Sequence, residues 1–196
     1  HDEDVDLITL EIAFDRTCNF ACSYCNPAFS TTWVKDIKKN GAYEELQSDG
    51  RNHFTHPHDS SQLYKLNETN PYVEAFFKWW DTDLHRTLRE LRITGGEPLM
   101  SPELWRLFDW FKLNADKSRT GIAVNSNLGG KIELIDKLVE SKQNIAKMNV
   151  YTSCEATGIS AEYIRDGLDF DYWWNNLVRL HNAGIDTHCM MTINAL

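Results

Sequence analysis

The chain has 196 residues, 42% of them hydrophobic, enough for one sizeable folded domain with a core of its own. Its net charge of −9 argues against a general nucleic-acid surface, which needs basic residues against the phosphates, and against a basic helix lying on a membrane. No apolar run approaches the length of a bilayer span, and His1-Asp2-Glu3-Asp4 lacks the positive start and apolar stretch of a signal peptide.

Residues 6–14, with the apolar run Leu7 to Phe14, read as a first strand. Directly after it come Cys18, Cys22 and Cys25, spaced C-x3-C-x2-C. Three thiolates on one loop can grip three corners of a cubic iron–sulfur cluster. A full cluster site takes four cysteines. With three, one iron keeps an open position, which is where a metal site does chemistry. The same cysteines also suit a structural zinc ion whose fourth ligand is His53, His56 or His58. The five cysteines are odd in number and three are bunched, so no disulfide framework is expected. A reducing, cytoplasmic setting fits.

The polar stretch 30–70 reads as short helices and loops. Asn70-Pro71 marks a helix start, cap then proline, and Val73, Phe76, Phe77 and Trp80 share its buried face. Asp83 is expected to cap a second short helix carrying Leu84 and Leu88. Residues 90–94 form the second strand, running into Thr94-Gly95-Gly96-Glu97-Pro98. The paired glycines let the backbone turn sharply and approach a ligand, and Glu97 offers a carboxylate to a positive group.

Ser101-Pro102 repeats the helix-start signature, with Leu104, Leu107, Phe108 and Phe111 on the buried face. Gly121 to Asn125 is a third strand. Ile132, Ile135, Leu138 and Val139 mark the next helix. Met148 to Ser153 is a fourth strand. Trp173, Trp174, Leu177 and Val178 mark another helix, ended by Asn182-Ala183-Gly184, and Thr187 to Ile193 is a fifth strand. Trp79, Trp80, Trp173 and Trp174 are expected in the core or an interface, and Cys154 and Cys189 as small buried hydrophobes.

Alternating strands and helices predict an α/β fold, a parallel sheet with outer helices, and five strands with loops at their C-terminal ends predict a barrel-like arrangement. The sequence lacks an initiating methionine and stops just past the fifth strand, where no helix follows to cover it. The expectation is an incomplete barrel, truncated after the fifth strand, from a longer parent chain.

C-x3-C-x2-C after one strand and Gly-Gly-Glu-Pro after the next resemble the radical S-adenosylmethionine (radical SAM) superfamily. That resemblance implies a full or partial (β/α)6 TIM-like barrel, with residues 1–196 as the core domain and 27–89 as an insertion between the cluster loop and the second strand. It implies that Cys18, Cys22 and Cys25 bind a 4Fe-4S cluster whose open iron is chelated by S-adenosyl-L-methionine. Tyr24 falls where relatives carry an aromatic that touches the adenine. Gly95, Gly96 and Glu97 match the motif that binds the methionyl amino group. Val124 to Leu128 resembles a third-strand end whose Ser126 and Asn127 point at the cofactor, although Leu128 replaces the usual glycine. Ser153 and Glu155 resemble a fourth-strand Ser-x-Asp that bonds the ribose or methionyl end. Ile164-Arg165 resembles a segment whose arginine takes the methionyl carboxylate, a group that suits the planar fork of Arg165.

Asn26-Pro27, Ser30 and Trp33, together with Ile93 to Pro98, resemble a phage-like group of these proteins with a twitch domain. The implied chemistry is reductive cleavage of S-adenosylmethionine to a 5′-deoxyadenosyl radical that takes a hydrogen atom from a substrate, peptide or small molecule. The implied electron donor is flavodoxin- or ferredoxin-like. The alternative class is a non-catalytic binding module stabilised by zinc or an inert cluster.

Overall fold

Residues 7–46, 54 and 70–193 are described by a computed structural model. Period-two alternation sets the first strand, β1 (Thr9–Ala13), where Leu10 and Ile12 turn to the core and their neighbours to solvent. A two-residue strand, β2 (Ala21–Cys22), lies inside the cysteine loop. Helix α1 (Thr31–Asn40) follows at once. Its N-cap Ser30 accepts from the N–H of Thr32 at 3.2 Å and donates to the Phe20 carbonyl at 2.6 Å.

Helix α2 (Pro71–Trp79) is capped by Asn70, which accepts from Tyr72 N–H. It does not stop where a second cap was expected at Asp83. A π-turn (Trp80–Leu84) carries it straight into α3 (His85–Thr87). No glycine or proline breaks the run, and side chains take up the wide turn's carbonyls. His85 Nδ1 lies 2.6 Å from Trp80 O, and Thr82 Oγ1 donates to Lys78 O. Trp80 is fully buried among Phe76, Trp110 and Phe111.

The remaining elements follow in strict alternation. They are β3 (Glu90–Thr94), a 3-10 turn (Pro98–Met100), α4 (Pro102–Leu113), β4 (Gly121–Asn125), α5 (Ile132–Ser141), β5 (Met148–Ser153), α6 (Gly158–Ile164), the two-residue β6 (Arg165–Asp166), α7 (Phe170–Asn182) and β7 (Asp186–Met190). Strands β1, β3, β4, β5 and β7 pair in that order, every pair parallel. This is the α/β, barrel-like order expected, with the fifth strand ending earlier than Ile193. Strand β2 pairs antiparallel with β6, setting Cys22 opposite Arg165.

One face of the sheet supplies the core. Leu91, Ile93, Ile122, Val124 and Val150 are buried with Leu104, Leu107, Phe108 and Phe111 of α4 and Ile135 and Leu138 of α5. Each such aliphatic contributes about 1.5–3 kcal/mol. The other face is polar. Arg92 lies over the Tyr151 ring at 4.7 Å, and Tyr151 stacks on His188. A parallel sheet usually reads apolar on both faces; here the second face carries polar and charged groups at its rim, with Ala123 and Asn149 buried at its centre.

Three expectations change. Helix α7 buries Trp173, Asn176 and Leu180, while Trp174 is 51% exposed and Val178 also faces out. The polar Asn176 turns inward because its Nδ2 donates to the carbonyl of Leu128, a residue held at φ 52°. Trp79 is half exposed. Cys189 is exposed, because β7 forms one edge of the described sheet; Cys154 is buried as expected. His53, His56 and His58 lie outside the described residues.

Replacing Asn176 with Ala leaves a buried carbonyl unpaired, so it is expected to cost about 1–3 kcal/mol in urea unfolding. Trp174→Ser should stay within about 0.5 kcal/mol. Equal losses would contradict the assigned face.

Candidate active site

The C-terminal ends of the strands converge on the cysteine loop. Phe20, between Cys18 and Cys22, is the loop's anchor. It is buried where a Cβ on Gly129 would lie 2.3 Å from its ring and one on Gly167 2.8 Å. Only hydrogen at those two positions admits the ring. The first turn of α1 fixes the loop from outside. Thr32 Oγ1 donates to Cys18 O, Cys18 N–H to Thr31 Oγ1, and the Trp33 indole to Cys22 O at 3.0 Å. From the other side, Ser23 N–H donates to Ile164 O.

The loop after β3 lies directly beneath. A Cβ on Gly95, at φ +122°, would meet Asp15 O at 2.4 Å, and one on Gly96 would meet Thr17 O at 2.4 Å. Glu97 N–H donates to Thr17 O at 2.7 Å. The close approach that the glycines permit is therefore, first of all, backbone against backbone. Glu97 then turns its carboxylate inward, fully buried. Oε1 accepts from Leu99 N–H at 3.0 Å and Ser126 Oγ at 2.8 Å, and Oε2 from Asn127 N–H at 2.6 Å. Burial pushes this carboxyl up, and the three donors pull against that.

A cavity of about 230 Å³ opens between these parts. Cys18, Cys22 and Cys25 line it, with Tyr24, Gly95, Gly96, Ser126, Asn127, Ser153 and Arg165. Glu97 and Glu155 do not line it. Ser126 gives its hydroxyl to Glu97, and Asn127 reaches Cys18 Sγ at 3.9 Å through Nδ2. Phe20, Phe29, Thr94, Asn125 and Met190 line the cavity without having been singled out in the sequence. Thr94, Asn125 and Met190 each end a strand, and that position was the signal available for them. Nothing in the sequence marks Phe29.

Arg165 ends α6 and starts β6, and it is buried rather than standing at the start of a helix. Its Nη1 donates to Tyr24 OH at 2.5 Å and pairs with Glu155 at 3.4 Å, while Tyr24 OH donates to Glu155 Oε1 at 2.9 Å. Glu155 is thus spent on Arg165 and Tyr24. Arg165 Nε is buried without a partner. Burial alone would lower the guanidinium, but the neighbouring Cys22, Tyr24 and Glu155 outweigh it and hold Arg165 above its usual range.

Burial pushes Cys22 up to about 11, with Arg165 opposing and Cys25 and Cys18 adding to the rise. Cys18 and Cys25 are also raised, burial leading in both. Ionised together, three thiolates in this space would repel one another, which is part of what keeps Cys22 high. Among the described residues, no three His, Cys, Asp or Glu side chains converge on a single-ion site. Also among them, no helix is long and apolar enough to cross a membrane.

Three thiols thus share a cavity at the carboxyl ends of a parallel sheet in an α/β protein. The family model described as the Radical SAM superfamily matches residues 12–195, and the chain belongs to that superfamily. A solved structure described as native anSMEcpe with bound AdoMet and Cp18Cys peptide is similar to it, at 14% sequence identity and a TM-score of 0.49. The match covers 93% of this chain and 43% of that one, so this chain spans less than half of that relative's length. No curated protein matches.

Glu97→Gln must set an amide NH2 against at least one of the donors that now point at the carboxylate. It is expected to destabilise the metal-free protein by about 1–3 kcal/mol in urea unfolding. Unchanged stability would show that Glu97 does not hold the loops together.

Proposed function

We propose that this chain forms the core of a radical S-adenosylmethionine enzyme, with Cys18, Cys22 and Cys25 holding a 4Fe-4S cluster. The observation that carries the reading is the sharing of one cavity by three thiols, four strand ends and a buried arginine with a spare donor. When bound, the cluster and S-adenosylmethionine supply one-electron reductive cleavage to methionine and a 5′-deoxyadenosyl radical that abstracts hydrogen from the substrate.

The chain's own residues do the positioning. The backbone of Thr94, Gly95 and Gly96 faces the cofactor's ammonium, and Glu97 acts by holding that backbone against β1 and β4. Arg165 offers Nε to the methionyl carboxylate. Glu155 acts through Arg165 and Tyr24, keeping the guanidinium and the phenol ring aimed at the cofactor. Ser153, at the end of β5, lies where it can reach the ribose, and Ser126 and Asn127 close the wall beside Cys18. The substrate is a peptide or a small molecule. A flavodoxin- or ferredoxin-like protein supplies the electron. A reducing, cytoplasmic compartment, the 27–89 insertion and a twitch-type domain in a longer parent chain belong to the same proposal.

The test is anaerobic reconstitution with iron and sulfide, followed by electron paramagnetic resonance of the reduced protein with and without S-adenosylmethionine. A four-iron signal that changes with the cofactor, is lost in Cys22→Ala and keeps its shape on adding cofactor to Arg165→Ala is expected. Stoichiometric zinc, or a cluster indifferent to the cofactor, would favour the binding module instead.

A further inference from the structure

We propose that Asn127 donates an amide N–H to the sulfur of Cys18 and so raises the reduction potential of the cluster. This rests on the reading that Cys18, Cys22 and Cys25 carry one.

Asn127 is buried just past β4. Its Oδ1 accepts from Gly129 N–H at 2.8 Å, and its Nδ2 donates to Asn19 Oδ1 at 2.8 Å. Asn19 Nδ2 in turn donates to Gly129 O at 2.9 Å, closing a ring. The ring settles which way both amides point. A flipped Asn127 would set Nδ2 against the Gly129 N–H and oxygen against the Asn19 oxygen. Flipping Asn19 as well would set its oxygen against the Gly129 carbonyl. With one Nδ2 hydrogen spent on Asn19, the other is left for Cys18 Sγ at 3.9 Å. The backbone cannot drift away, because Asn127 N–H is tied to Glu97 and Gly129 is wedged against Phe20.

The three sulfurs are therefore unlike one another. Cys18 faces an amide donor, Cys22 lies opposite Arg165, and Cys25 faces the carbonyl of Asn26 at 3.7 Å. Hydrogen bonds to the sulfurs set a cluster's potential, and the ligating residues' partners tune a metal site as much as the ligands do. A donor stabilises the electron-rich, reduced state more than the oxidised one. Asn127 is thus a positioning residue for the electron-transfer step, and it need not touch the substrate.

The test is a potentiometric titration of the reconstituted chain, read by electron paramagnetic resonance without S-adenosylmethionine, for the wild type, Asn127→Ala and Asn127→Asp. Both variants should shift to more negative potential, by up to about tenfold in the reduced-to-oxidised ratio, about 59 mV for one electron. Asn127→Asp should shift more, since it sets a carboxylate beside the sulfur. Wild-type midpoints in both variants at equal iron content overturn this inference alone; a wild type that takes no cluster overturns the proposed function with it. If a variant holds no cluster, wild type labelled with 15N-asparagine decides the matter. A 15N hyperfine coupling at the reduced cluster is expected, and its absence overturns the proposal.

Discussion

Two missing side chains organise this site. Because Gly95 and Gly96 have no Cβ, the loop after β3 can lie on the carbonyls of Asp15, Arg16 and Thr17 at distances that any Cβ would forbid. That contact fixes the height at which the chain leaves β1 and enters the cysteine loop. Glu97 completes the joint, its N–H on Thr17 and its carboxylate on Leu99, Ser126 and Asn127. The ends of β1, β3 and β4 are tied at one point, and the position of Cys18 follows from that joint.

Burying a carboxylate is expensive, several kcal/mol even after relaxation. Among the described residues Arg165 is the cation that acts on Glu97, and it does so through charge rather than a hydrogen bond. Hydrogen bonds to a charged group contribute about 1.5–3 kcal/mol each, so three donors are the scale needed to hold the charge. The arrangement is pre-organised, since all three donors are in place before any ligand arrives. Arg165 is treated differently. Tyr24 and Glu155 take Nη1 and leave Nε without a partner. One buried group is fully satisfied and the other keeps an unused donor, beside the same cavity.

The fold was largely legible because it is written in periodicity. Leu91 and Ile93 alternate with polar neighbours, and Leu104, Leu107, Phe108 and Phe111 recur at helical spacing. The parallel order then follows from the alternation of strands and helices. Helix α7 was misread for a local reason. Asn176 is a core residue because of one carbonyl 48 positions away in sequence, and no pattern within a helix announces a distant partner. Asp83 failed in the same way, since capping chemistry was present but the chain had no break for it to cap. At the site, the cysteines and the glycines stood out by spacing alone. Glu97 was legible as a carboxylate near charge, and its three donors were not, because two of them come from the distant segment at Ser126 and Asn127 and the third is the backbone of Leu99. Phe20 was hidden inside the motif itself. The cysteines drew attention, while the residue between them that sets their loop has partners at Gly129 and Gly167, far along the chain.

The joint and the lining divide the work of the site. Residues that set position work by contact with protein: Phe20 and Glu97 are buried, and Gly95, Gly96 and Gly129 permit close approach to the Asp15–Thr17 carbonyls and to the Phe20 ring. Residues that face the cavity, Thr94, Asn125, Ser153 and Met190, sit at strand ends, where each side chain can change without disturbing the sheet register. Tyr151, Arg92 and His188 lie together on the second face of the sheet. The sheet keeps its apolar core on one side and sets most of its polar groups on the other. The chemistry of recognition is thereby separated from the packing that holds the cysteine loop in place. That separation explains why the motif residues carry so little information about the substrate. They determine how the loops meet, and the strand ends above the polar face determine what can approach them.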